Sequence, residues 1–195
     1  MKHSLQKRVF IVHGYKSYPT DCWFPWLKKE LVKRGYKVFV PPMPKPAHPK
    51  KNEWIRKIKI SVRKPDKNTY LVGHSLGAIA ILHYLESLPK NQKIGGMISV
   101  GGRFISNKKK KTVENFFHPP LRWQTIRKRC RFFTGIYSKN DPLVSLKNAY
   151  LMRKKLSAIL ILEKNKGHFS RNDNVFKLPV VLKELVIMSN KTKRT

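Results

Sequence analysis

The sequence has very few acidic residues. Its 195 residues include 10 Asp plus Glu against 43 Lys plus Arg, which gives a formal net charge of +33 at pH 7. A charge of this sign is typical of proteins that meet nucleic acid or another anionic surface. It also leaves few candidates for any role that requires a carboxylate.

Cysteines and long apolar runs are scarce as well. Cys22 and Cys130 can form at most one disulfide, which excludes a disulfide scaffold and favours a reducing compartment. No apolar run approaches the ~20 residues of a membrane-spanning helix. The first run, Val9–Val12, is too short for the core of a secretory signal. We therefore expect a cytoplasmic protein without a membrane span.

Motifs for cofactors are also missing. The chain has neither a G-x-G-x-x-G nor a Walker A sequence, so a nucleotide cofactor is not indicated. His13, His74 and His168 lack the spacing of metal ligands and a nearby set of cysteines or carboxylates. We expect neither a cofactor nor a metal.

The apolar residues that are present predict a folded α/β domain. They make up 41% of the chain, with 11% aromatics, which is enough for a core, and the length fits one domain spanning 1–195. Short β-branched runs alternate with stretches of helical periodicity, which predicts βαβ units in a mostly parallel sheet of about six strands, covered by helices on both faces. The predicted strands are 8–12, 37–40, 69–72, 94–100, 132–137 and 158–162. The first predicted helix begins near Thr20 or Asp21, and the later ones cover about 52–63, 76–88, 146–156 and 174–188.

Two segments depart from this alternation. Residues 103–131 form a long interval between two strands and contain the Lys108–Lys111 run, so we expect a lid-like insert or pocket wall there. Residues 190–195 are expected to form a flexible basic tail.

The strongest chemical signal is Gly73-His74-Ser75-Leu76-Gly77, a complete G-x-S-x-G. It follows a predicted strand and opens a predicted helix, the setting in which the serine of this motif is a nucleophile on a sharp turn. The Leu76 amide would then point to where an oxyanion forms. A chance match in a tight turn between a strand and a helix is the alternative.

A nucleophilic serine needs a base and a carboxylate that orients the base. In enzymes with this motif the acid follows the serine and the histidine comes last. The carboxylates after Ser75 are Glu86, Glu114, Asp141, Glu163, Asp173 and Glu184. Asp141 directly follows a predicted strand, at the sheet edge where such sites form, and Glu163 is the second candidate. An ordinary Asp-Pro turn would also account for Asp141.

His168 is the preferred base because it follows the last predicted strand at the same sheet edge, with His118 as the fallback. His13-Gly14 closes the first strand, so the Tyr15 amide can supply a second oxyanion donor, although a plain turn is the alternative. The remaining candidates for the substrate pocket are His13, Gly14, His74, Phe116, Phe117 and Trp123. Core packing explains the three aromatic residues equally well.

These motifs resemble those of small α/β-hydrolases of the retinoblastoma-binding protein 9 type and related bacterial serine hydrolases. The resemblance covers nearly the whole chain and includes WFPWLKKEL, PPMPKP, LVGHSLGAIAILHYLE, FFHPPLRWQTIRKRC and IYSKNDPLV. It implies a six-stranded hydrolase with Ser75, Asp141 and His168 in the triad positions. The chain departs from the family in its basic charge and in the Lys108–Lys111 run. It has no Leu-x-Cys-x-Glu motif, so binding to retinoblastoma-type proteins is not carried over.

Two functions are therefore considered. The first is a monomeric serine hydrolase that cleaves an ester, thioester or amide of a small acyl substrate through an acyl-enzyme. The second is a protein on a hydrolase scaffold that binds nucleic acid or another polyanion. Its best local candidate site joins Lys108–Lys111 with Arg127, Lys128, Arg129 and Arg131, but basic residues occur on nearly every segment, so we expect nonspecific contact at most.

Overall fold

The protein is built around one parallel sheet. The structure, a computed structural model, describes residues 6–106 and 111–191. Its six strands have the order β2-β1-β3-β4-β5-β6, and every neighbouring pair is parallel. The strands are β1 Arg8–Val12, β2 Lys37–Phe39, β3 Thr69–His74, β4 Ile94–Val100, β5 Cys130–Ser138 and β6 Ile159–Glu163.

Helices cover both faces of the sheet. They are α1 Phe24–Val32, α2 Lys51–Val62, α3 Leu76–Glu86, α4 Trp123–Lys128, α5 Lys147–Leu156 and α6 Pro179–Lys191. One apolar cluster joins α2, α3, α4 and α5 to the sheet, and a second joins α1 and α6 to the opposite face. The alternation of β1 supplies both clusters, with Phe10 and Val12 on one side and Val9 and Ile11 on the other. This is the predicted three-layer α/β-hydrolase fold.

The strand order positions the functional site. The chain passes from β1 outward to β2 and then returns to β3 on the other side of β1. The carboxyl ends of β1 and β3 therefore lie side by side where the direction of winding reverses, which is the usual ligand site of an open α/β sheet.

Several predicted boundaries need correction. The first helix begins at Phe24, after a turn in which Asp21 accepts hydrogen bonds from Ser17 and Tyr18 instead of capping the helix. The last helix begins at Pro179 rather than 174. Asn174 adopts a left-handed conformation that ends a short 3-10 helix at 171–173, and proline disfavours helical backbone in the residue before it.

The predicted insert contains regular structure. A 3-10 helix covers Lys111–Phe116 and α4 follows it, while Cys130 and Arg131 already belong to β5. Most of the Lys108–Lys111 run, residues 108–110, lies outside the described residues. Of the expected tail, residues 190 and 191 are the last turn of α6, and 192–195 lie outside the described residues. Within the described ranges, no helix is long and apolar enough to cross a membrane.

Candidate active site

Ser75 sits on a sharp turn between β3 and α3. Its backbone has φ 52° and ψ −117°. Residues other than glycine rarely adopt a positive φ, and such a conformation costs about 1–3 kcal/mol. The turn also requires two glycines. A Cβ on Gly73 would lie 2.6 Å from the Ala78 Cα, and one on Gly77 would lie 2.2 Å from the carbonyl oxygen of Val12. The G-x-S-x-G spacing therefore reflects close backbone packing at both glycines.

A continuous hydrogen-bonded chain joins Ser75, His168 and Asp141. The Ser75 Oγ lies 2.8 Å from His168 Nε2, and His168 Nδ1 lies 2.8 Å from Asp141 Oδ2. Since an ionised carboxylate only accepts hydrogen bonds, Nδ1 carries the proton and Nε2 is the acceptor for the serine hydroxyl. This arrangement can remove a proton from Ser75 and hold the resulting cation beside a carboxylate.

The Asp141 carboxylate is fixed by its own turn. The side chain is 1% exposed, and Oδ1 accepts hydrogen bonds from the backbone N–H groups of Leu143 and Val144 at 2.8 and 2.9 Å. The second oxygen is thereby left for His168. The Asp-Pro turn considered from the sequence is present, and it positions the carboxylate.

The loop that carries His168 is held by Asp173, which sequence reasoning did not single out. Its Oδ2 accepts hydrogen bonds from the backbone N–H of His168 and from both the N–H and the hydroxyl of Ser170. Burial alone would raise the pKa of Asp173, but these hydrogen bonds outweigh it and hold the pKa below its ordinary value. Gly167 makes room for this contact, since a Cβ there would lie 1.9 Å from Asp173 Oδ1.

A second polar bridge joins the two loops that carry Asp141 and His168. The Asn140 side-chain oxygen accepts hydrogen bonds from the Ser138 hydroxyl and the Gly167 N–H. The same hydroxyl accepts a hydrogen bond from the N–H of Lys166. These bonds fix the end of β5 against the loop after β6, and so set the distance between acid and base.

His74 contacts His168 through its backbone and its ring. Its Nε2 donates a hydrogen bond to the carbonyl oxygen of His168 at 2.8 Å, and the two rings lie 5.1 Å apart. The other nitrogen, Nδ1, is buried without a hydrogen-bond partner. Burial, followed by the nearby His168, lowers the pKa of His74 to about 3, so the ring stays neutral beside the base.

His13 holds the backbone beside Ser75. Its Nε2 accepts a hydrogen bond from the N–H of Met43, so Nδ1 carries the proton and donates to the carbonyl oxygen of Gly14. Burial lowers the pKa of this ring as well. Gly14 packs closely on the nucleophile, because a Cβ there would lie 3.1 Å from the Ser75 Cβ.

Leu76 and Tyr15, the residues whose amides are predicted for the oxyanion role, both lie beside Ser75. The N–H of Leu76 is the first of α3 and has no acceptor within the helix. Tyr15 follows Gly14 after β1 and lines both cavities that meet at Ser75. Together they flank the nucleophile from β1 and from α3.

Two cavities meet at Ser75 and His168. The larger, about 830 Å³, has the more polar lining of the two. Its charged and polar walls include Lys16, Asp21, Lys111, Arg171 and Asn172. The smaller, about 310 Å³, is mostly apolar, and Arg103 is the one charged side chain among the described residues that line it. A substrate that reaches both cavities would place its scissile bond at the serine.

The predicted pocket residues separate into two groups. Gly14 and His74 line the larger cavity and Phe117 lines the smaller one. His13, Phe116 and Trp123 line neither cavity and lie behind the walls. Phe116 is fully buried against Trp54, and Trp123 packs on Phe104. For these two aromatic residues the core alternative describes what the structure shows.

The second candidates for acid and base lie elsewhere. Both ring nitrogens of His168 are occupied by Ser75 and Asp141, so Glu163 has no place in this chain of hydrogen bonds. His118 is an exposed side chain that contacts Glu114. Across 6–106 and 111–191, no group of three or more His, Cys, Asp or Glu is arranged to hold a metal ion.

The basic residues predicted as a polyanion site differ in exposure where the structure describes them, and residues 108–110 of that site lie outside the described residues. Arg127 and Lys128 are exposed on α4. Arg129 is buried, and its guanidinium donates hydrogen bonds to the carbonyl oxygens of Leu88 and Lys90. It therefore ties the chain before β5 to the end of α3.

The chain is similar to several known proteins. A family model described as serine hydrolase matches residues 9–186. The YdeN protein of Bacillus subtilis (strain 168) is 32% identical over 97% of this chain and its own full length. Its crystal structure has a TM-score of 0.90 and covers 94% of this chain and 98% of that one. The serine hydrolase RBBP9 of Rattus norvegicus is 25% identical over 79% of this chain and 81% of its own length.

A more distant solved structure shares the fold alone. Est1E from Butyrivibrio proteoclasticus has a TM-score of 0.73 at 10% identity and covers 97% of this chain and 89% of that one.

Proposed function

The chain belongs to the serine hydrolase family, and we propose that it cleaves an ester, thioester or amide of a carboxylic acid with Ser75 as nucleophile, His168 as base and Asp141 as the orienting acid. One observation carries this proposal: the two 2.8 Å hydrogen bonds that join the three side chains at one edge of the sheet. The two cavities that open on both sides of the serine supply the space for an acyl group and a leaving group.

The proposed reaction has two halves. His168 Nε2 takes the hydroxyl proton of Ser75 as the oxygen attacks the substrate carbonyl, and then gives that proton to the leaving group. Water attacks the resulting acyl-enzyme by the same route, and the acid is released as Ser75 regains its proton. Asp141 stabilises the imidazolium that forms in each half, which the buried and doubly anchored carboxylate is suited to do.

In this proposal the backbone amides of Leu76 and Tyr15 stabilise the negative oxygen of each tetrahedral intermediate. The first lies at the amino end of α3, where the helix dipole favours negative charge. The sharp turn at Ser75 brings its hydroxyl next to the following amide. His13 keeps the Gly14–Tyr15 backbone in place through its bond to the Gly14 carbonyl.

Hydrolysis of p-nitrophenyl butyrate tests the proposal. The wild type should release p-nitrophenol. Ser75→Ala should retain only the slow residual hydrolysis that substrate binding and the oxyanion amides support. Ser61→Ala, on α2 and away from both cavities, is the matched control and should keep the wild-type rate. Equal rates for the wild type and Ser75→Ala would refute the role of Ser75.

A further inference from the structure

The smaller cavity contains an arginine beside its apolar walls. Those walls come from Leu76, Val113, Phe117, Pro142, Leu143 and Val144. Arg103 reaches the same space from the loop after β4. At about 310 Å³ the cavity is within the size of sites that bind small molecules.

The guanidinium of Arg103 is held in a defined position. Its central carbon lies 5.4 Å from the centre of the Phe117 ring, which is a cation–π contact. Its Nε donates a hydrogen bond to the carbonyl oxygen of Ile105 at 3.2 Å. With the guanidinium over this ring and anchored at Nε, its terminal N–H groups make no hydrogen bond to the described residues, which leaves them available to a ligand.

No protein carboxylate neutralises this cation within the described residues. Arg103 has no ion pair there, and its one hydrogen bond leaves the terminal nitrogens without an acceptor. Glu114, the acid whose charge acts on Arg103, is hydrogen-bonded to Ser106 and His118. Burial lowers the pKa of Arg103, and the charge of Glu114 partly opposes this shift. Arginine nevertheless remains protonated in proteins.

The backbone around Arg103 is fixed before any ligand arrives. The side-chain oxygen of Asn148 accepts hydrogen bonds from the N–H groups of Phe104 and Ile105 at 2.7 and 3.0 Å. On the other side, the carbonyl oxygen of Gly102 accepts a hydrogen bond from the hydroxyl of Tyr137. A preorganised donor loses little entropy on binding, so it favours a specific ligand group.

We infer that Arg103 binds a carboxylate at the far end of the substrate's acyl chain, so that the enzyme prefers acyl groups derived from dicarboxylic acids. This inference rests on the proposed function, because the cavity becomes an acyl pocket only if Ser75 is acylated. The apolar walls fit the methylene chain between the two carboxyl carbons. A single guanidinium balances a single negative charge, and its planar fork matches a carboxylate.

The larger cavity is a weaker candidate for this recognition. Its cations Lys16, Lys111 and Arg171 are exposed side chains. Exposed cations are screened by water and salt, whereas a half-buried one is screened much less. A carboxylate on the leaving-group side would therefore contribute less selectivity than one that reaches Arg103.

The test compares benzyl esters that differ only at the end of the acyl chain. Monobenzyl succinate, glutarate and adipate are paired with benzyl butyrate, valerate and hexanoate, and benzyl alcohol release is measured by chromatography. For at least one pair, kcat/KM should favour the carboxylate by about tenfold or more, the typical effect of a charge-assisted hydrogen bond. Arg103→Met should abolish this ratio, and Arg103→Lys should retain part of it.

Because kcat/KM for the two esters of a pair is compared within each variant, a general loss of activity cancels from the ratio. Arg153→Met, an exposed arginine on α5, removes the same charge far from the cavities and should keep the wild-type ratio. Two results would overturn the inference: a wild-type enzyme that hydrolyses both esters of every pair equally well, or a preference that survives Arg103→Met. Loss of the preference in Arg171→Met but not in Arg103→Met would also overturn it. If the wild type hydrolyses none of these esters and no p-nitrophenyl ester, the proposed function itself has failed.

Discussion

Mild acid should destabilise the protein through His74. The ring is buried between α1 and the loop of His168, with edge contacts to Trp23 and Phe24, and one of its nitrogens has no partner. Its pKa is lowered from 6.5 to about 3 in the folded protein, chiefly by burial. The unfolded chain therefore binds a proton at this position at a higher pH than the folded protein does.

The sign and size of the effect follow from linkage. When folding lowers the pKa of a histidine, the neutral ring costs the folded protein nothing at a pH above the pKa of the unfolded chain. The free energy of unfolding then falls as the pH drops through the window between 6.5 and about 3. Each pH unit below 6.5 costs about 1.4 kcal/mol until the folded pKa is reached. Between pH 7.5 and pH 5, His74 alone should lower the free energy of unfolding by about 2 kcal/mol.

Urea unfolding of the wild type and His74→Gln at both pH values isolates this contribution. Glutamine can still donate a hydrogen bond to the His168 carbonyl oxygen, but it does not titrate. His13 and His83 also have lowered pKa values, chiefly because of burial, and they destabilise in the same direction in both proteins. Their contribution therefore cancels in the comparison.

The expected result is a difference between the two pH dependences. The wild type should lose about 2 kcal/mol more than His74→Gln on going from pH 7.5 to pH 5. An equal loss in both proteins would show that the ring is not held neutral by burial. The reasoning about its effect on His168 would then be wrong as well.

Three further predictions concern the same site. Gly77→Ala should lower the free energy of unfolding, measured with urea, by about 1–3 kcal/mol, because the new methyl meets a backbone carbonyl oxygen of β1. A higher free energy of unfolding would contradict that contact. Asp141→Asn should lower kcat for p-nitrophenyl butyrate by about 10³–10⁴, and a larger loss in Glu163→Gln would reassign the acid. Asp173→Asn should lower kcat at least about tenfold with little change in KM, since it positions His168, whereas a change confined to the melting temperature would mean a purely structural role.

Much of the site could be predicted because few residues could fill each role. With only six carboxylates after Ser75, the two that follow predicted strands, Asp141 and Glu163, could be separated from those within helices. The motif around Ser75 and the position of His168 after the last strand placed the other two side chains at the same edge. The alternation of strands and helices likewise predicted the parallel sheet.

Two of the missed residues act through hydrogen bonds that the pattern of strands and helices does not show. Ser170 and Asp173 form a capping box, and their S-x-x-D spacing is a local signal, but it does not indicate that Asp173 also binds the His168 N–H. Asn140 bridges to Gly167, 27 residues away, and no local pattern indicates that contact. Neighbouring aromatic residues are equally ambiguous, since Phe116 is buried in the core while Phe117 lines the cavity. Which of two adjacent side chains faces a pocket is decided by how the 3-10 helix packs, and the sequence pattern does not contain that information.

Arg103 was missed for a related reason. It lies at the start of the segment predicted as an insert, among many other basic residues, and its charge gave no reason to select it. Its distinction comes from the cation–π contact with Phe117 and from its position in the wall of a mostly apolar cavity.

Covalent labelling tests the central claim most directly. The protein is treated with an alkyl fluorophosphonate, its intact mass is measured, and the modified peptide is sequenced by mass spectrometry. The account predicts a single phosphonyl group on Ser75, and no modification of Ser75→Ala under the same conditions. Labelling at another residue, or equal labelling of Ser75→Ala, would contradict it.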